Sequence, residues 1–152
     1  MWVQHYDSGS ESCVGSDGLV SVVMIRYDDV PPSLNTTGTR GSHWVATRLK
    51  KRWQTTLEGL LMGSGLPRSL ERVEASAFLR FPVRRVRDEG NYRWLLEKSL
   101  GDALVNGGWL VDDSSVRFRF GRVEFEGEPG SARTVVRLDA RFDRDGKGEV
   151  PA

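Results

Sequence analysis

The 152-residue chain carries 22 Lys and Arg against 21 Asp and Glu, a formal net charge of +1, so overall charge does not mark it as a polyanion binder. One cysteine and two histidines exclude an intramolecular disulfide framework and a zinc-finger spacing. No apolar run approaches membrane-spanning length, and the polar N-terminus lacks the basic-then-apolar pattern of a secretory signal, so one soluble cytoplasmic domain with a real core is expected.

Residues 7–18 lack the apolar content to offset ordering entropy, and residues 1–18 are expected to form a flexible tail, with Cys13 incidental within it. Leu19 to Tyr27, rich in Val and Ile, predicts a first strand that Pro31-Pro32 ends. Asn35 to Ser42 reads as a Thr/Gly loop. His43 to Met62 predicts a helix with Val45, Leu49, Trp53, Thr56, Leu57 and Leu60 on its apolar side. Arg48, Lys51 and Arg52 lie within roughly 100° of arc on its other side. No acid falls between Asp29 and Glu58, whereas Arg40, Arg48, Lys50, Lys51 and Arg52 do, and a local block of that kind suits a polyanion. An ordinary solvated helix face is the structural alternative. Gly63-Ser64-Gly65 and Pro67 stop the helix.

Val73 to Phe81 alternates apolar and polar residues, as a half-buried strand does. It feeds the basic loop Pro82-Val83-Arg84-Arg85-Val86-Arg87, whose arginines could pair with nearby carboxylates or hold phosphates. A second helix follows from Asn91. Its residues Tyr92, Leu96, Leu100, Ala103 and Leu104 share an arc of roughly 120°, and Asn91, Lys98 and Asp102 fall within about 40° of one another on a separate polar row. Gly107-Gly108 stops this helix, and Trp109 beyond it reads as a core anchor rather than a base-stacking platform. Val116 to Glu126 and Thr134 to Phe142 alternate around a Glu128-Pro129-Gly130 turn and predict a closing hairpin. Residues 143–152 are expected to be a second flexible tail, lacking the ligand spacing of a calcium loop. The order β-α-β-α-β-β predicts an α+β domain over residues 19–142, a mixed, largely antiparallel sheet with two packed helices. There is no Walker loop and no dinucleotide fingerprint, so no nucleotide cofactor is expected.

Four segments together resemble the RusA-type Holliday-junction resolvases of phages and prophages. They are Pro31-Pro32-Ser33-Leu34-Asn35, the loop Asp88-Glu89-Gly90-Asn91, Lys98 with Asp102-Ala103-Leu104, and Trp109-Leu110-Val111-Asp112-Asp113-Ser114. The likeness covers roughly residues 20 to 140 and is most specific from Lys98 to Asp113. Two departures stand out. Gly90 occupies the place of the family's second metal-binding aspartate, and the interval from Asn91 to Lys98 is about one helical turn longer, which preserves the face.

The resemblance implies a homodimeric, Mg²⁺-dependent endodeoxyribonuclease (Mn²⁺ substituting) that nicks four-way DNA junctions in a bacterium or phage-infected cell. It implies Asp88 and Asp113 as metal ligands, Asp112 and either Glu89 or Glu97 completing the shell, and Lys98 offsetting transition-state charge. Such chemistry is sound, because a divalent cation relieves the repulsion between clustered carboxylates and activates water. Asp102, one turn from Lys98, is expected to position it through an i,i+4 pair. Asn91 is either a first-turn helix residue or a donor to a ligand carboxylate. Arg40, Arg48, Lys51, Arg52, Arg84, Arg85, Arg87 and Arg93 are the expected phosphate contacts. The alternative is a non-catalytic branched-DNA-binding relative that has lost an aspartate.

Overall fold

The computed structural model describes residues 4–7, 18–33 and 43–143. The chain runs β1 (Gln4–Asp7), β2 (Gly18–Tyr27), α1 (His43–Ser64), β3 (Arg72–Arg80), α2 (Gly90–Asn106), β4 (Phe118–Phe125) and β5 (Arg133–Asp143). It is the expected α+β arrangement, a mixed sheet with two helices, and it gains one short strand at its start. Gln4–Asp7 pairs antiparallel with β2, from Gln4↔Met24 to Asp7↔Ser21, inside the stretch expected to be tail. A four-residue strand is too short for its alternation to stand out in the sequence. Residues 8–17 and 144–152, which include Cys13 and most of both expected tails, lie outside the described residues.

The sheet order is β1-β2-β5-β3-β4, and this corrects the expected hairpin. β4 does not pair with β5. It lies parallel to β3, Val73 opposite Phe118 and Leu79 opposite Phe125, with α2 as the crossover between them. β5 instead fills the centre, antiparallel to both β2 and β3. The reason lies in the side chains. β5 turns Thr134, Val136, Leu138 and Ala140 toward the helices, all buried, as a central strand requires. β4 is interrupted by a register shift near Gly121 and keeps Arg119, Arg122 and Glu124 exposed, features of an edge. The loop after β4 crosses the end of β3, where Leu79 and Phe81 carbonyls accept the Glu126 and Gly130 N–H groups.

Both helices cover one face of the sheet. Val23, Ile25, Val73, Ala75, Ala77 and Leu79 meet Trp53, Leu57, Leu61, Leu95, Leu96, Leu100 and Leu104 in one core. Val45, expected on the apolar side of α1, is exposed at the start of the helix. α2 buries Leu95, Ser99 and Gly101 beyond its expected stripe, because α1 and the sheet approach it from different sides. The Ser99 hydroxyl donates to the Lys50 carbonyl at 3.3 Å.

Trp109 is the anchor beneath the end of α2. It is fully buried, and its Nε1–H donates to the Leu66 carbonyl at 3.0 Å. Its ring passes so close to Gly107 that a Cβ there would collide with it. Truncating such an indole typically costs about 3–5 kcal/mol.

Candidate nucleic-acid interface

α1 buries Trp53, Leu57, Leu60 and Leu61 and so must turn Arg48, Lys51 and Arg52 outward, where all three side chains reach solvent. Trp44, 76 % exposed, stands one turn before Arg48. These side chains border a shallow depression along the helix. Arg52 also lines a second open cavity of about 500 Å³, at the end where β2 and β3 deliver Tyr27 and Phe81. Arg85 and Arg87 of the basic loop, Tyr92 at the start of α2, Asp29 and Pro31, Pro32 and Ser33 line it as well. The Pro-Pro-Ser segment, the α1 cations and the basic loop, distant in sequence, therefore meet at one place. Leu34, Asn35 and Arg40 lie outside the described residues.

The basic-loop arginines divide by partner. Arg87 donates to the Val83 carbonyl at 2.9 Å and lies 3.8 Å above the Phe81 ring centroid, so its guanidinium is fixed. Arg84 reaches outward to the Gly127 carbonyl at 2.8 Å and to Glu128 at 3.9 Å. Among the described residues Arg85, like Arg48, Lys51 and Arg52, makes no side-chain hydrogen bond or ion pair. Arg93, expected on phosphate, is turned inward. It donates to the Phe120 and Gly121 carbonyls at 2.6 and 2.9 Å and pairs with Glu89 at 3.6 Å and Glu97 at 3.4 Å. It clamps α2 to the irregular part of β4.

The carboxylates do not gather into one group. The Asp88 carboxylate accepts the Gly90 N–H at 3.1 Å and opens the first turn of α2, in which Asn91 is the second residue. Glu89 accepts the Val123 N–H at 3.1 Å. Asp113, by contrast, sits beside Gly101, its Cβ 3.5 Å from where a Gly101 Cβ would lie. From Gly90 to Gly101 the helix advances roughly 16 Å, so Asp88 and Asp113 stand toward opposite ends of α2. That spacing does not fit a single cation held by both. The two glutamates expected to replace the missing aspartate both face Arg93. Among the described residues no three His, Cys, Asp or Glu side chains are grouped to hold a metal ion.

Asp112 serves the turn into β4. Its carboxylate accepts the Ser114 N–H at 3.0 Å and faces Arg117 at 3.5 Å. The Ser114 hydroxyl and N–H, then Arg117, hold its carboxyl below the usual aspartate range. Asp102 does not pair with Lys98. It binds Lys50 of α1 at 2.8 Å, joining the two helices. The geometric reason is that α1 runs alongside α2 and offers a cation directly opposite. Lys98 is left exposed on α2, one turn before Gly101 and so on the side that Asp113 approaches.

Tyr27, Trp53 and Phe81 are cavity residues that the sequence reading assigned only to strand and core. The available signal was two strands, β2 and β3, ending in an aromatic beside basic segments. No helix among the described residues is long and apolar enough to cross a membrane. No protein-family model matches the chain, and no curated protein matches it in sequence. The resemblance to RusA-type resolvases therefore rests on the motif residues alone.

Proposed function

We propose that this protein binds branched DNA through the cationic track that runs from Arg48 and Lys51, across Arg52, to Arg85 and Arg87. The observation that carries the reading is Arg52, which lines both the α1 depression and the second cavity and so makes one surface of them. Phosphate contacts position a duplex without reading its sequence, and unpaired exposed arginines on a rigid helix suit that task. The branched character of the DNA comes from the resemblance, as does the homodimer. The division of the carboxylates between the two ends of α2 favours binding over cleavage.

Metal-dependent cleavage is the second reading, favoured by Asp113, which approaches the Lys98 side of α2 near Gly101. One or two carboxylates suffice for Mg²⁺ when water and phosphate complete the shell, but Asp112 beside it is taken by Ser114 and Arg117. A synthetic four-way junction tests both readings. Binding tighter than to linear duplex, with no Mg²⁺- or Mn²⁺-dependent nicking, is the expected result. Nicking that Asp113→Asn abolishes would establish the enzyme instead, and equal affinity for junction and duplex would remove the branched-DNA reading.

A further inference from the structure

The second cavity combines two features that a simple backbone contact does not need. Its rim carries three arginines, Arg52, Arg85 and Arg87, against one carboxylate, Asp29, which already accepts the Val30 N–H at 2.8 Å. Its wall is partly aromatic: Tyr27 and Phe81, both half-buried, line it in front of the core residues Trp53 and Tyr92, which they meet at 5.1 and 5.2 Å. Like charges around one opening repel unless an anion lies between them. An inorganic anion would explain the arginines but make no use of the part-exposed Tyr27 ring. An apolar ligand would use that ring and leave Arg52 and Arg85 unmatched. A nucleotide satisfies both, with phosphate for the guanidiniums and a flat base for the rings. A volume of about 500 Å³ lies within the range of small-ligand sites.

From this we infer that the cavity takes one unpaired nucleotide of the bound DNA, its phosphate on Arg52, Arg85 and Arg87 and its base against Tyr27. The inference rests on the DNA-binding reading and adds the substrate feature it selects. A base within a duplex is stacked and paired and cannot enter, whereas a nucleotide at a branch point, gap or frayed end can be turned out at lower cost. Arg87 is preset for the task, because Phe81 and the Val83 carbonyl already fix its plane. Of the cavity's three arginines, Arg52 and Arg85 are still unengaged among the described residues.

The test uses calorimetric titration of the full chain with dAMP, dTMP and inorganic phosphate. Alongside it, binding is measured to a duplex and to the same duplex carrying a short single-stranded gap. Arg85→Gln is the test variant, since its side chain is exposed and holds no other residue. Arg141→Gln, on the opposite sheet face, removes the same charge as a control. The nucleotides should bind at least about 10-fold more tightly than phosphate, and the gapped duplex should outcompete the intact one. Arg85→Gln should weaken nucleotide binding about 10-fold, the usual worth of a charge-assisted hydrogen bond, and erase the preference for the gap. Arg141→Gln should change neither.

Equal affinity for phosphate and nucleotide overturns the inference, as does a gap preference that survives in folded Arg85→Gln. DNA binding without nucleotide binding overturns it too and leaves the DNA-binding reading standing. Nucleotide binding without DNA binding upholds the ligand class and overturns the DNA source.

Discussion

Asp112 and Asp113 are adjacent and chemically identical, yet the fold gives them different work. Asp112 accepts the Ser114 N–H and faces Arg117, an arrangement that starts the turn whose Ser114 carbonyl accepts the Arg117 and Phe118 N–H groups. Asp113 lies against Gly101, its Cβ 3.5 Å from where a Gly101 Cβ would stand, an ordinary packing distance. The resemblance to the resolvases implies one metal shell for both, but a turn sends successive side chains in different directions. The Asp112 assignment has a pH signature. Its carboxyl is depressed in the folded state from the ordinary 3.8, so the ionised form adds stability above that value. The contribution disappears as pH falls through the lower folded-state value. Asp112→Asn should therefore be less stable than the natural protein in denaturant titrations at pH 7. The difference should close in buffers well below pH 3.8, and a gap that persists or widens there would show that Asp112 acts through packing alone.

At the scale of elements, the helices and long strands were legible because their periodicities differ. α2 carries its stripe through Tyr92, Leu96, Leu100 and Leu104, all buried as expected. Strand neighbours were not legible, since alternation says which face is buried but not which strand lies alongside. The closing hairpin was read from a turn signal at Glu128-Pro129-Gly130, and that loop in fact carries the chain past β3 into the centre of the sheet. Arg93 escaped for a related reason. Its sequence neighbours are basic-loop arginines, but only the β3-α2-β4 crossover shows that two β4 carbonyls lie within its reach. This separates two kinds of arginine by experiment. Arg93→Ala should lower unfolding free energy by about 2 kcal/mol, the scale of losing charge-assisted hydrogen bonds. It should leave the salt dependence of DNA binding unchanged. A large loss of affinity with little change in stability would return Arg93 to the phosphate contacts.

The whole molecule has a net charge of only +1, but its cations are differently engaged on its two faces. On the open face of the sheet three are paired within their own strands, Arg72 with Glu74 at 2.7 Å, Arg137 with Asp139 at 3.2 Å and Arg122 with Glu124 at 3.9 Å, while Arg119 and Arg141 stand singly among them. Residues two apart on a strand point the same way, so each pair neutralises itself locally. On the helix side Arg48, Lys51, Arg52 and Arg85 have no such partner among the described residues. A polyanion should therefore meet one face and displace its counterions there, and position rather than total charge should set the affinity. The double variant Arg52→Gln/Arg85→Gln should reduce the slope of log affinity against log salt by about 2, one for each phosphate that the protein ceases to neutralise. Arg72→Gln/Arg137→Gln removes the same formal charge from the sheet face and should leave the slope within error of the natural protein. Binding isotherms on one junction across a range of potassium chloride concentrations measure both. Equal slopes for the two double variants would mean that the protein attracts DNA through overall charge, and the helix-side track would lose its claim to be the interface.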